Sequence, residues 1–252
     1  MEYRIAVITP YYKEPTEMLG QCHDSVVRQE VPCDHLMIAD GFPNPAIDRW
    51  NVRHVLLPVA HDDLGNTPRS VGSLLADAEG YDFIAYLDGD NWYQPNHLAS
   101  LVQLYEATKA PVCCSWRTFH RPDGSELPLP EDIASRALRH VDANCFLLHR
   151  AAFHINAVWH RMPRELKTAG DRVFRAALKK AGFAFAYSQQ PTVAYRTLHE
   201  MHYEKAGEPP PEGFKPRQLM QPAVDYLMSP AGITETVDRL GFWPMSDPTF
   251  LA

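Results

Sequence analysis

Two carboxylates stand one residue apart, Asp88 and Asp90, directly after an uninterrupted apolar run, 83–87, in a chain of 252 residues. A short run of this kind predicts a strand buried in a parallel sheet. The residues Asp88-Gly89-Asp90-Asn91 cannot continue it, and Gly89 lets the backbone bend between the two acids. Ligands bind at the carboxyl edge of such sheets. Paired carboxylates with open coordination positions suit Mg²⁺ or Mn²⁺ shared with water and substrate phosphates. A simple polar turn is the competing interpretation, since Asp, Gly and Asn are favoured turn residues.

The elements around this stretch narrow the choice. Strand patterns at 3–9, 36–39, 53–57, 83–87 and 111–115 alternate with helical patterns at 16–28, 68–78 and 95–107. Thr16 is expected to cap the first helix, and Pro68 suits a first helical turn. The alternation predicts an α/β fold with a Rossmann-like, mostly parallel central sheet flanked by helices. Parallel strands would bring Thr9-Pro10-Tyr11, Asp40-Gly41 and Asp88-Gly89-Asp90 to one edge and one pocket. There is neither a Walker A pattern nor a G-x-G-x-x-G run. Phosphate charge would then fall to a cation held at Asp90, so the convergence favours the metal interpretation over the turn.

The second half is less regular. Pro122-Asp123-Gly124-Ser125 predicts a hairpin within 117–129, a small antiparallel element. A short helix at 131–139 and a strand at 144–148 follow. Residues 157–168 mix Trp, His, Arg and Pro, and predict an exposed loop with binding potential. Asp171 opens a helix closed by Gly182, and strands are expected at 183–187 and 192–195. The break at 208–213 precedes two short helices and an apolar tail.

Composition sets outer bounds. With 45% hydrophobic and 22% charged residues the chain is that of a soluble globular protein, and its net charge of −7 argues against a nucleic-acid surface. No stretch approaches the ~20 apolar residues of a membrane span, and no signal peptide is visible. Cys22, Cys33, Cys113, Cys114 and Cys145 are odd in number and match no zinc spacing, which fits a cytoplasmic setting.

Five pieces in order carry a resemblance: Val7-Ile-Thr-Pro-Tyr-Tyr12, Ile38-Ala-Asp-Gly41, Gly65-Asn-Thr-Pro-Arg-Ser-Val-Gly72, Leu87-Asp-Gly-Asp-Asn91 and Ala169-Gly-Asp171. Over roughly residues 3–200 the chain resembles family-2 glycosyltransferases of the GT-A fold. The resemblance implies a GT-A domain at 1–207, with a nucleotide-sugar-binding half (1–116) and an acceptor half (117–207), and a C-terminal extension at 208–252. It implies a hexosyltransferase-like enzyme, dependent on Mn²⁺ or Mg²⁺. Such an enzyme moves a sugar from a nucleotide diphosphate donor to a hydroxyl of a carbohydrate, lipid-linked or other acceptor, with inversion. Carried over residue by residue, Thr9, Tyr11, Asp40 and Arg69 would contact the nucleotide, and Asp88 the ribose or metal. Asp90 of the DXD motif would ligate the metal, and His199 or His202 would complete its site. Asp171 would be the general base, which must reach the acceptor hydroxyl to take its proton; helix capping is its competing role.

Two positions depart from the family pattern. Gly170 stands where an acid usually precedes the base, and Ala39 replaces the first acid of Asp-Asp-Gly. Gly170 is the one feature favouring a non-catalytic nucleotide-sugar-binding descendant. A nucleotidyltransferase would need a Gly-rich loop after the first strand, and 9–14 has no glycine. Trp92, Trp116 and Trp159 suit either sugar stacking or core packing. Phe242, Trp243 and Phe250 offer a peripheral membrane contact if the acceptor is lipid-linked.

Overall fold

Strands covered by helices on both faces must be apolar on both, and three of the first four strands are. In the computed structural model, which describes residues 3–130 and 141–251, β1 (Ile5–Tyr11), β2 (Asp34–Asp40), β3 (Arg53–Leu57) and β4 (Phe83–Tyr86) pair in parallel in the order β3-β2-β1-β4. Helices α1 (Thr16–Val27), α2 (Asn66–Ala78) and α3 (His97–Thr108) lie between the strands in sequence. Beyond β4 the sheet continues through β7 (Phe146–His149), β6 (Val112–His120), β8 (Phe185–Arg196) and β5 (Trp92–Tyr93). Here β7 runs antiparallel to both neighbours, while β6 and β8 are parallel. The expected α/β architecture, mostly parallel with antiparallel pairs in the second half, is the one observed.

Close packing fixes where the strand ends lie. A Cβ on Gly72 would come within 2.5 Å of Ile8, so α2 rests directly on β1. Any larger side chain there would lift α2 and Arg69 away from the end of β1.

Several boundaries differ from the sequence expectation, each for a physical reason. β1 runs on through Pro10 and Tyr11. The Leu87 N–H donates to the Ile8 carbonyl, so Pro10, two residues on, faces the side where β4 has already ended. No ladder bond is lost to the missing N–H. Thr16 is the first helical residue rather than a cap, and its hydroxyl accepts a bond from Asn44 Nδ2 at 2.9 Å. The strands expected at 183–187 and 192–195 are one strand, β8, with an irregularity opposite Trp116. The hairpin shrinks to one antiparallel bridge, His120–Glu126, across a turn at Gly124 (φ +87°). The helix expected at 131–139 lies outside the described residues.

Residues 157–168 are not an exposed loop. They form α4 (Val158–Arg161) and a following 3₁₀ turn, Arg164–Ala169. Trp159 is 1% exposed and stacks on Phe174 at 4.4 Å. Burying that indole outweighs the loop-forming tendency of Pro163. It leads into α5 (Gly170–Lys180), and α6 (Glu200–Ala206) follows β8.

The C-terminal residues pack onto the same core. Ala223 and Leu227 of α7 (Gln221–Met228) join it, as do Phe242 and Phe250 beyond α8 (Pro230–Leu240). Trp243 packs against it and donates its indole N–H to the Leu227 carbonyl at 3.0 Å. The three tail aromatics are thus engaged in packing and do not present a membrane-contact surface. Among the described residues no helix is long and apolar enough to cross a membrane. The five cysteines are unpaired.

Candidate active site

The ends of β1, β2 and β4 open on one cavity of about 750 Å³. Tyr11, Asp40, Arg69, Asp88, Asp90, Asp171, His199 and His202 all line it. Eight of the nine residues expected at the site therefore share one space. Thr9 is the exception. It is fully buried, with its hydroxyl 2.8 Å from His35 Nε2 and 3.7 Å from Cys22 Sγ. Thr9 and Tyr11 share one face of β1, but Thr9 lies two residues back from the strand end, beneath His35 and Cys22, so Tyr11 alone of the two reaches the cavity.

Asp40 and Asp88 are each held by protein partners. The Asp40 carboxylate accepts the His61 backbone N–H (3.1 and 3.2 Å) and lies 2.6 Å from His61 Nδ1. Tyr11 is fixed in the same way: its hydroxyl accepts the Asn44 N–H at 2.9 Å and lies 2.6 Å from His54 Nε2, whose Nδ1 is 2.7 Å from Asp48. Arg69, 5% exposed, donates to Asp88 and to the Leu64 carbonyl, with its guanidinium 5.2 Å over the Trp159 ring. Asn144 grips Asp88 from the other side, accepting its N–H at 2.6 Å and donating to its carboxylate at 3.0 Å. Gly65, at φ +84°, starts α2 so that Arg69 can point this way. The Asp88 carbonyl also accepts the Asn91 N–H at 3.0 Å. The turn and the site are one object here.

Asp90 and Asp171 differ. Burial, then the charges of Asp88 and Glu14, push the Asp90 carboxyl up to about 7, opposed by Lys215. Burial, then Asp142, push Asp171 up to about 7, opposed by Arg69. Asp171 lies in the first turn of α5, whose N-terminus has no side-chain cap. The backbone N–H of Ala143 faces its carboxylate and favours the ionised form. The capping role is thereby set aside, and the side chain lines the cavity.

Asp90, His199 and His202 are the cavity side chains that would have to hold a divalent cation. Burial lowers His199 to about 4 and His202 to about 3, so both rings are neutral near pH 7, the ligating form. His202 Nδ1 sits 2.6 Å from the Thr197 hydroxyl, a bond that fixes the ring and leaves Nε2 for a ligand. Among the described residues no three His, Cys, Asp or Glu side chains are grouped as a ready ligand set; a cation would rest partly on ligand and water oxygens, as Mg²⁺ and Mn²⁺ do beside phosphates.

Gly170 has a local cause. A Cβ there would lie 3.1 Å from Asn66 Oδ1 and 3.5 Å from Trp159, so a larger residue would have to push Asn66 aside. Asp142, Asn144 and Arg117 were missed by sequence reasoning; Asp142 and Arg117 line the cavity, and Asn144 lies fully buried between Asp142 and Asp88. The polar Asp142-Ala-Asn144 triplet before a strand was the signal available. Trp92, Trp116 and Trp159 do not line the cavity; Trp159 is core, and Trp92 lies 4.7 Å beneath the Arg196 guanidinium.

No protein-family model and no curated protein matches the chain by sequence. Solved structures match by shape. S. aureus TarS superposes with a TM-score of 0.59 at 15% identity, over 90% of this chain and 40% of that one. TarS 1–349 gives 0.61 at 17% identity, over 94% of this chain and 71% of that one. TarS 1–349 in complex with UDP-GlcNAc gives 0.60 at 15% identity, over 94% and 71%. The chain spans two fifths of the longer TarS chain. At these identities the likeness establishes the fold, and that fold is GT-A, as the sequence resemblance implied.

Proposed function

We propose that this protein is a metal-dependent, inverting glycosyltransferase that moves a sugar from a nucleoside-diphosphate donor to an acceptor hydroxyl. The observation that carries it is the single cavity at the strand ends, where clamped acids (Asp40, Asp88) and unclamped acids (Asp90, Asp171) meet. The GT-A fold raises the prior without settling the chemistry. Complexes of TarS 1–349 with UDP and UDP-GlcNAc make these the first ligands to test.

Each residue then has a role its surroundings support. Tyr11 and Asp40, fixed by His54 and His61, form a rigid wall for the nucleoside. Arg69 and Asn144 hold Asp88 oriented toward the ribose. Asp90 and His202, with His199 close by, would hold Mn²⁺ or Mg²⁺, which when bound supplies positive charge against the leaving diphosphate. Asp171 takes the acceptor hydroxyl proton as that oxygen bonds to the anomeric carbon. The bond from that carbon to the diphosphate breaks, and the diphosphate leaves with the electron pair. A carboxyl near 7 is suited to this, because a base works best when its pKa lies near the working pH.

Thermal stabilisation by nucleotides and nucleotide sugars, with and without Mn²⁺, tests the donor site, since a ligand of the native state raises the melting temperature. The expected result is a shift that needs both metal and a nucleoside diphosphate and is absent in Asp90→Ala. No shift with any donor would overturn the proposal in favour of a non-catalytic or differently specific descendant.

A further inference from the structure

We propose that Asp142 supplies the second carboxylate that position 170 lacks, acting as a positioning residue for Asp171 from a different element of the fold. This rests on the glycosyltransferase reading only for its catalytic consequence; the pairing of the two acids stands on geometry. Position 170 is crowded: a Cβ there would meet Asn66 Oδ1 at 3.1 Å and Trp159 at 3.5 Å, so a carboxylate would enter only by pushing these side chains aside. Asp142 precedes the 3₁₀ turn Ala143–Cys145, which leads into β7, and it lines the same cavity as Asp171. The backbone N–H of the very next residue, Ala143, faces the Asp171 carboxylate and favours its ionised form. One stretch of backbone thus brings both acids to the same part of the cavity.

Asp142 is itself rigidly held. It is 6% exposed, accepts the Asn144 N–H at 3.0 Å and the Asn144 side-chain amide, and lies 3.4 Å from the Arg117 guanidinium. Asn144 goes on to clamp Asp88, so Asp142 is joined by a continuous polar chain to the nucleotide-side acid as well. The groups whose charge acts on Asp171 are Asp142 itself, Arg69 from α2, Asp88 after β4, Arg117 from β6 and Arg172 from α5. Of the two acids among these, Asp142 acts the more strongly. A fixed negative charge at this place raises the proton affinity of Asp171 without being consumed.

The test is the titration of the Asp171 carboxyl by ¹³C NMR on the full chain, assigned with Asp171→Asn, in the native protein and in Asp142→Asn and Asp142→Glu. Removing the charge is expected to move the Asp171 midpoint down by about one pH unit or more, and Asp142→Glu to restore it at least in part. The acid limb of the transfer rate should move by the same amount. An unchanged midpoint in a folded Asp142→Asn protein would overturn the proposal. A shifted midpoint in a protein that transfers no sugar would leave the pairing intact and remove the glycosyltransferase reading instead. Should Asp142→Asn not fold, the same comparison in Asp142→Ser, which removes the charge with a smaller polar side chain, should move the midpoint down; an unchanged midpoint there would overturn the proposal.

Discussion

The two sides of the cavity treat their acids in opposite ways. On the nucleotide side, Asp40 and Asp88 are saturated by His61, Arg69 and Asn144 before any ligand arrives. Asp90 and Asp171 are desolvated more than Lys215 and Arg69 offset, and hold their protons up to about 7. Saturated acids make a rigid surface, and unsaturated acids make a reactive one. In the proposed function the first pair binds and the second does the chemistry, and the contrast exposes a cost: desolvated carboxylates whose charge is incompletely offset destabilise the fold that carries them.

The largest expected effect separates the two roles at Asp171. Asp171→Asn should lower the turnover number by about 10²–10⁴-fold while donor binding persists. Its stability should change the other way. An unfolded carboxyl ionises near 3.8 and the folded one near 7, so the native state loses stability as pH rises through that window and carries the full cost above it. Asp171→Asn should therefore melt higher than the native protein at pH 8, by about 1–2 kcal/mol once water access is allowed for, and the gap should close toward pH 4. A melting series across pH checks this, and a lower melting point at pH 8 would erase the distinction drawn here.

A clamped acid should respond in reverse. Arg69→Met leaves Asp88 without its cation in a largely buried place, which typically costs about 3–5 kcal/mol. Chemical denaturation at pH 7 measures it, and a cost below about 1 kcal/mol would show that Asp88 does not need its clamp.

Gly170→Glu sharpens the comparison further. Crowding Asn66 and Trp159 should cost about 1–3 kcal/mol, and Asn66→Ala in the same protein should recover part of it. Equal stability of the native protein and Gly170→Glu would mean that the neighbours yield freely.

Much of the nucleotide side was legible in the sequence because it is local. Apolar runs ending in Asp40 or Asp88 are strands with acids at their carboxyl ends, and βα alternation forces those ends together. The clamps were not legible. Asn144 reaches Asp88 across 56 positions, and Arg69 reaches it only because Gly72 lets α2 settle on β1. The 157–168 segment misled for the opposite reason: its Pro and charged residues suggest a loop, yet the single buried Trp159 decides its structure. Thr9 lies on the same face as Tyr11 but one strand repeat deeper, under His35 and Cys22, a depth that a motif comparison does not see. Asp142 carries no motif, and only the fold places it beside Asp171.

Electron paramagnetic resonance of Mn²⁺ titrated into the full chain, with and without UDP, is the most direct test of the division between clamped and free acids. The expected result is tight, nucleotide-dependent Mn²⁺ binding that Asp90→Asn abolishes. In a folded Asp88→Asn protein the Mn²⁺ affinity should fall by no more than about 10–100-fold, as for a group outside the first ligand shell. Full Mn²⁺ binding in Asp90→Asn, or its loss in Asp88→Asn alone, would contradict the assignment of metal binding to the unclamped acid.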